Sequence, residues 1–184
     1  MPLFADNSYS EIEIGLWCRP LDKNKLKEII DIMDRSHEKL MALALSEAKK
    51  AGQMGEVPIG AILVSESGTI LSAAHNRTID LADPTAHAEI LALREAGSKI
   101  NNYRLLNTIL YVTVEPCIMC MGAIVHARIS EVVFGAADPK WGAAGSLYNF
   151  SEDDRLNHRV AITKGVCEQE CRRLIQHFFI AKRG

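Results

Sequence analysis

The stretch that decides the fold is residues 107–135, NTILYVTVEPCIMCMGAIVHARISEVVFG. It opens with a run rich in β-branched and apolar residues, which is typical of a strand. From Pro116 it continues as a helical segment, because proline is well tolerated in the first turn of a helix. The stretch closes on SEVVFG, a second strand-forming run. A strand, a helix and a strand in succession predict an α/β domain.

The segments on either side repeat this alternation of strands and helices. Upstream, VPIGAILVSE and TILSAAHN flank the turn SGT and predict a β-hairpin over residues 57–76. Helices are predicted at residues 37–52 and 83–96, the second with cap chemistry at its Asp-Pro-Thr start. Downstream, HRVAITKG predicts a fifth strand, and a last helix follows it. We therefore expect a three-layer α/β/α domain with a mixed five-stranded sheet.

A domain boundary is predicted near residue 35. Before it, SEIEIGLW alternates like a short strand, and LKEIIDIMD has apolar residues at helical spacing. The helix at residues 37–52 is then a second, separate one. Residues 1–35 are interpreted as an N-terminal extension, either a genuine addition or the product of an upstream start codon, and residues 36–184 as the main domain.

Composition places the chain among globular proteins. Of its 184 residues 48% are apolar, which suffices for one core, and no apolar run approaches the roughly 20 residues of a membrane span. The start MPLFADNSYS does not resemble a signal peptide. An odd number of cysteines, five, argues against a disulfide framework and favours a reducing, cytoplasmic setting.

Charge argues against one class of partner. Residues 1–35 hold 5 basic and 7 acidic residues of the chain's 21 and 23, which leaves 16 of each sign in the remainder. A protein that binds nucleic acid over a broad surface would be strongly basic. The candidates for a local basic patch are Arg172, Arg173, Lys182 and Arg183.

Three residues have the chemistry and position of zinc ligands. Cys117 and Cys120 are three positions apart in the first turns of the helix after Pro116, where the positive helix end favours thiolates. His87, also near a helix start, supplies a third ligand. Three protein ligands leave one tetrahedral position open, which is typical of a catalytic zinc with a bound water. A redox pair is the alternative for the two thiols taken alone.

Glu89 follows His87 by two residues in DPTAHAEILAL, among small and apolar neighbours. A carboxylate beside the metal can take a proton from the attacking water and deliver it to the leaving group. Side chains two residues apart on a regular helix point about 200° apart. The zinc is therefore expected beyond the end of the helix, where the two side chains can converge.

The His-x-Glu and Pro-Cys-x-x-Cys motifs together form the signature of zinc-dependent nucleobase deaminases. More narrowly, five segments resemble the bacterial tRNA-specific adenosine deaminases: EVPIGAILV, NRTIDLADPTAHAEILALR, NYRLLNTILYVTVEPCIMCMGAIVHARI, VVFGAADPKWGAAGSL and LNHRVAITKG. The resemblance covers about residues 37–181, and residues 1–35 have no counterpart in the family pattern.

The resemblance implies a cytidine-deaminase-like fold, one zinc per subunit held by His87, Cys117 and Cys120, and Glu89 as the proton shuttle. It implies hydrolytic conversion of the wobble adenosine of an arginine tRNA to inosine, with the base flipped into the pocket. It implies a cytoplasmic homodimer that binds a tRNA anticodon stem-loop. The substrate contacts that it implies come from Asn76, Ala88, Asp138, Lys140 and Phe179.

Other interpretations stay open for the same residues. The protein could instead be a zinc deaminase of a free nucleobase or nucleoside such as guanine or cytosine, which would act without the anticodon stem-loop. It could be a non-catalytic RNA-binding partner of the same fold, although the presence of Glu89 argues against that. It could also be a zinc-stabilised scaffold, against which the open ligand position argues. Asn76 and Asp138 could be turn residues, and Phe178 a core residue.

Overall fold

The computed structural model describes residues 23–183, with side chains described from residue 37 onward. The strand predicted from SEIEIGLW lies outside the described residues. The chain divides into two units after Met33, and the architecture reported below is that of the second, Asp34–Gly184. Within the described residues, no helix is long and apolar enough to cross a bilayer. The assignment of residues 1–35 as an extension stays a prediction.

Helix α1, Lys23–Gln53, runs through residue 35 without a break. The prediction of two separate helices on either side of that residue is wrong. Residues 23–51 contain no proline or glycine, so nothing in the backbone interrupts the helix. The predicted stop is nearly right, since α1 ends one residue after Gly52. Gly55 then adopts a φ of 79°, which favours glycine.

The five strands form one mixed sheet, as predicted. They are β1 Gly60–Ser65, β2 Ile70–His75, β3 Thr108–Val114, β4 Glu131–Ala136 and β5 Ala161–Lys164. β1 and β2 are the predicted hairpin, and β1 also pairs antiparallel with β3. β3, β4 and β5 run parallel, and the order across the sheet is β2-β1-β3-β4-β5.

Helices cover both faces of the sheet and complete the three predicted layers. Helices α2, Ala88–Ile100, and α3, Ile118–Ala127, lie on one face, and α1 and α4, Glu168–Arg183, on the other. Successive side chains of β3 point to opposite faces of the sheet, so this strand contributes residues to both hydrophobic cores. Leu110 packs with residues of α2 and α3, whereas its neighbour Tyr111 packs with residues of α1 and α4.

Helix α2 begins and ends later than predicted. It starts at Ala88 rather than near Asp83, because the Asp83 carboxylate accepts hydrogen bonds from the Thr85 amide and hydroxyl and closes a local turn. The helix continues past Gly97 to Ile100, and Asn101 caps it in a left-handed conformation. A single glycine costs a helix only about 1 kcal/mol, which the packing of neighbouring apolar residues outweighs.

The carboxyl ends of the parallel strands lie side by side. Val114 of β3 pairs with Ala136 of β4 at the last position of both strands. The loops that follow these two strands therefore start next to each other, and α3 begins after the first of them. Loops at the carboxyl ends of parallel strands are where α/β domains place their ligand sites.

Candidate metal centre and active site

His87, Cys117 and Cys120 come together as one cluster. Their ligand atoms all lie within 4.8 Å of one another. His87 Nδ1 is 3.7 Å from the Cys117 sulfur and 3.6 Å from the Cys120 sulfur. Around a tetrahedral zinc with ordinary bond lengths, an imidazole nitrogen and a thiolate sulfur lie about 3.6 Å apart. The cluster therefore has the dimensions of a zinc site and fits that metal.

Two helix starts bring these ligands together. His87 is the N-cap of α2 and Cys117 the N-cap of α3, each with an extended backbone and no side-chain capping hydrogen bond. Cys120 follows in the first turn of α3. Because His87 stands just outside the helix, the 100° step between helical residues does not apply to it, and it can face the same point as Glu89.

The pKa values of the two thiols are shifted in opposite directions. The interaction between the two thiols lowers the pKa of Cys117 to about 4 and raises the pKa of Cys120 above its ordinary value. A hydrogen bond with Cys117 also raises the pKa of His87. Cys117 is therefore a thiolate at neutral pH, the form that binds metal.

Glu89 lies in the first turn of α2 and is 3% exposed. Its Oε2 atom has no hydrogen-bond partner among the described residues. Burial raises the pKa of this carboxyl group. A buried carboxylate oxygen without a partner is costly, and such groups concentrate at functional sites. Glu89 therefore has the placement expected of a general acid–base group.

A cavity of about 570 Å³ opens onto this cluster. Its lining includes His87, Glu89 and Cys117, and Asp138 and Trp141 border it from the loop after β4. The remaining lining residues are Ile59, Pro84, Val114, Glu115, Ile118 and Met119. A largely apolar cavity with a few polar groups is the usual form of a small-ligand site and suits a planar base.

The predicted substrate residues occupy three places. Asp138 lines the cavity at the metal cluster. Lys140 and Phe179 line a neighbouring cavity of about 630 Å³, which Asp138 also borders. Asn76 and Ala88 line neither of these two cavities. They bond to each other instead, with Asn76 Oδ1 accepting from the Ala88 amide at 2.8 Å, so Asn76 holds the start of α2 in place.

Two residues of the site are not predicted from the sequence. Trp141 borders both cavities and is 64% exposed, and its one signal in the sequence is that it is the only aromatic residue in AADPKWGAAGS. Glu115 lines the metal cavity and is 3% exposed. The sequence feature that could have identified Glu115 is a carboxylate directly after an apolar strand. A charged residue at such a buried position needs an ionic or hydrogen-bonding partner.

A known family shares the motifs that form this cluster. Residues 34–136 match the family described as the cytidine and deoxycytidylate deaminase zinc-binding region. The chain belongs to this family. The matched residues of the deaminase contain all three members of the cluster together with Glu89.

Individual relatives show which members of this family the chain is similar to. The deaminase is 50% identical over 146 residues to the tRNA-specific adenosine deaminase of Haemophilus influenzae, which covers 79% of this chain and 84% of the relative. A solved structure from studies of A-to-I editing by tRNA:A34 deaminases at the wobble position is 43% identical. It has a TM-score of 0.72 and covers 74% of this chain and 98% of its own. A guanine deaminase from Bacillus subtilis is 37% identical, with a TM-score of 0.54 over 60% of this chain and 70% of its own.

Proposed function

We propose that this protein hydrolytically deaminates the wobble adenosine of an arginine tRNA anticodon to inosine. The observation that carries the proposal is the three-ligand cluster with the buried Glu89 on one cavity, in a chain 50% identical to a tRNA-specific adenosine deaminase. The adenine enters the cavity as a flipped base, because its reactive carbon is out of reach in a stacked anticodon loop.

His87, Cys117 and Cys120 would hold one zinc ion per subunit. When bound, zinc supplies a Lewis acid that makes water nucleophilic at neutral pH. The chain presents one nitrogen and two sulfurs at tetrahedral spacing. Among the described residues, no fourth histidine, cysteine or carboxylate joins the cluster, which leaves a ligand position for water.

Glu89 moves the protons of the reaction. Its carboxylate takes a proton from the attacking water and delivers it to a ring nitrogen of the adenine as oxygen bonds to the carbon that bears the amino group. It then carries the second water proton to that amino group, which leaves as ammonia. A carboxylate whose pKa is raised by burial is a stronger base than an exposed one, which favours the first proton transfer, from water to Glu89.

Asn76 and Ala88 line neither cavity, and contact between these two residues and the edge of the flipped base is proposed from the resemblance to tRNA-specific adenosine deaminases. Because Asn76 Oδ1 accepts from the Ala88 amide, its orientation is fixed. The Asn76 amide nitrogen donates no hydrogen bond to any described residue and can therefore donate to a ring nitrogen of the base.

RNA contacts outside the base cavity are proposed for the loop after β4 and for α4. Asp138 borders both cavities, and the neighbouring one would receive a flanking nucleotide. Lys140 and Arg172 line that cavity and supply two cations for a phosphate. Phe179 is 42% exposed there and offers a ring on which a base can stack.

We also infer a homodimer that works in the cytoplasm, where its tRNA substrate is. Large apolar side chains are exposed on the described part of the chain: Ile79, Leu81, Tyr103, Leu106, Leu147 and Tyr148. Exposed apolar surface supports association with another protein, and two-fold dimers are the commonest homo-oligomers. Analytical ultracentrifugation of the zinc-loaded protein tests this, and the mass of a single subunit at micromolar concentration would contradict it.

Incubation of the zinc-loaded protein with an arginine tRNA anticodon stem-loop tests the proposed reaction. Inosine is read as guanosine after reverse transcription, and free adenosine, cytidine and guanine are assayed beside the RNA. We expect inosine at the wobble position only. Unchanged RNA with ammonia released from a free base would overturn the substrate and favour a nucleobase deaminase, the second candidate, which the likeness to guanine deaminase supports. No product in any tube would favour a non-catalytic RNA-binding partner.

A further inference from the structure

Glu115 is a buried carboxylate whose hydrogen-bond donors all come from one loop. Its Oε1 accepts from the amides of Ala144 and Ser146, each at 3.0 Å. Its Oε2 accepts from the Asp138 amide at 3.1 Å and from the Ser146 hydroxyl. All four donors lie in residues 137–146, which we call the rim loop. One carboxylate therefore satisfies four neutral donors of the loop that borders the base cavity.

The rim loop closes tightly around this carboxylate. A Cβ atom at Gly142 would meet both the Glu115 carboxyl group and the Asp138 carbonyl closer than real contacts allow. The Asp138 carbonyl accepts from the Gly142 amide at 2.9 Å. The Asp138 carboxylate in turn accepts from the amides of Lys140 at 2.9 Å and Trp141 at 3.3 Å. The position of Trp141 therefore depends on Asp138, which depends on Glu115.

The same contacts join the rim loop to a metal ligand. Glu115 directly follows β3, and Cys117 lies two residues further along. The Pro116 carbonyl accepts from the Ala143 amide at 2.9 Å, and Cys117 pairs with Gly142 as an isolated β-bridge. The rim loop is thus attached, through side chain and backbone, to the segment that carries Cys117.

We propose that Glu115 is a positioning residue for deamination, whose carboxylate sets where the rim loop, with Asp138 and Trp141, lies over the base cavity. The identity of the base rests on the proposed function. The property that matters is that both carboxylate oxygens accept hydrogen bonds. The negative charge matters less, because every donor is neutral. A glutamine has the same size, but its NH₂ group would face N–H donors.

Glu115→Gln is the test variant, and Glu131→Gln is its matched control. Glu131 accepts one hydroxyl hydrogen bond, from Thr163 at 2.6 Å, at the start of β4. Zinc content, kcat per bound zinc and KM for the stem-loop are measured on the full-length zinc-loaded protein. We expect Glu115→Gln to raise KM about tenfold and to leave kcat per zinc within about twofold, while Glu131→Gln changes neither. A lower kcat per zinc at unchanged KM would overturn the proposal.

Amide hydrogen exchange gives a second readout that needs no substrate. Glu115→Gln is expected to accelerate exchange about tenfold at Asp138, Ala144 and Ser146 and to leave β1 and β3 unchanged. Acceleration throughout the sheet, or none in the rim loop, would overturn the positioning role. If the wild-type protein does not act on the stem-loop, the proposed function fails on its own, and exchange still decides on Glu115.

A milder variant keeps the proposal testable if Glu115→Gln does not fold. Ser146→Ala removes one of the four donors and leaves the carboxylate in place. We expect a KM increase of about threefold, together with faster exchange confined to the rim loop. Unchanged KM and unchanged exchange in this variant would overturn the proposal.

Discussion

In the proposed mechanism, metal binding and proton transfer belong to different residues, since the three-residue cluster would bind the metal and Glu89 would transfer protons. The cluster already offers three ligands without this carboxylate. The Oε2 atom of Glu89 has no hydrogen-bond partner among the described residues, so this oxygen adds no hydrogen bond to the fold. Removal of this one carboxylate should therefore affect turnover and leave metal binding intact.

Glu89→Ala is expected to keep one zinc per subunit and to lower kcat/KM about 10³-fold, because a positioned proton-transfer group contributes about 10²- to 10⁴-fold. Metal analysis and the inosine assay measure the two effects. Glu95→Ala is the control, since Glu95 is exposed on the same helix and pairs with Lys99. A Glu89→Ala protein with full turnover would contradict the proton-transfer role.

The residues of the site differ in how far the sequence predicts them. His87 and Cys117 are predictable because metal chemistry demands certain residue types at short spacings. Glu115 is not, because its hydrogen bonds reach across 29 residues to Ala144 and exist only after folding. Trp141 borders the cavity for the same reason, since the hydrogen-bonded rim loop decides where the indole lies.

At the scale of elements, the backbones of α1 and β1 approach each other so closely at Gly60 that no side chain fits between them. A Cβ atom there would meet the backbone of Ala44 and Ala48 in α1 and would lie 2.9 Å from the Glu47 side chain. Backbone atoms cannot move aside as a flexible side chain can, so the glycine fixes how closely the helix approaches the sheet.

Gly60→Ala is therefore expected to lower the free energy of unfolding by about 1–3 kcal/mol. Gly52→Ala is the matched control, because its Cβ would make an ordinary 3.5 Å contact with Pro58. Alanine in a helix is also favoured over glycine, so the control should gain up to about 1 kcal/mol. Urea denaturation measures both variants, and equal midpoints would show that the close approach is not rigid.

Prediction of the elements succeeds where one local pattern has no competitor. The hairpin of β1 and β2 follows from two apolar runs around SGT, and the structure confirms it. The start of α2 is wrong because Asp83 has two local uses, a helix cap and a turn, and the turn with Thr85 prevails. The break predicted in α1 is wrong because polar residues at 34–36 resemble a linker yet are compatible with a helix.

At the scale of the whole molecule, the two hydrophobic cores of the described residues form without the three candidate metal ligands. Neither hydrophobic core includes His87, Cys117 or Cys120. Zinc removal by a chelator is therefore expected to leave far-ultraviolet circular dichroism unchanged. The Tm should fall by about 10 °C, because a tightly bound ligand stabilises the folded state by about 4 kcal/mol. Loss of secondary structure on chelation would contradict independent cores.

The free energy of unfolding at alkaline pH should depend on Tyr111, whose hydroxyl forms a hydrogen bond with His37 Nδ1 at 2.8 Å. Burial first, and the nearby Glu131 carboxylate second, raise the pKa of Tyr111 to about 12. A phenol whose pKa is higher in the folded state than its unfolded value of about 10 stabilises the fold fully below pH 10. That contribution is lost as the pH rises towards 12.

Tyr111→Phe should therefore remove part of the fall in stability between pH 10 and 12. It should also cost about 1 kcal/mol at pH 8 through the lost hydrogen bond. Urea denaturation at pH 8 and pH 11 compares it with Tyr103→Phe, a change at an exposed side chain. The same alkaline slope in both variants would contradict the assignment to Tyr111.

The two helix starts at the ligands also set the net charge of the loaded site. Zinc and two thiolates sum to zero, Glu89 adds one negative charge, and two helix N-termini add about half a positive charge each. The metal site with Glu89 is thus close to electroneutral, while Glu115 and Asp138 add negative charge to the lining of the base cavity, so an uncharged base suits this cavity better than a phosphate does. In the proposed function, capture of the anionic backbone would fall to Lys140 and Arg172, which line the neighbouring cavity. Added salt should consequently weaken RNA association and leave the rate of the bound complex nearly constant.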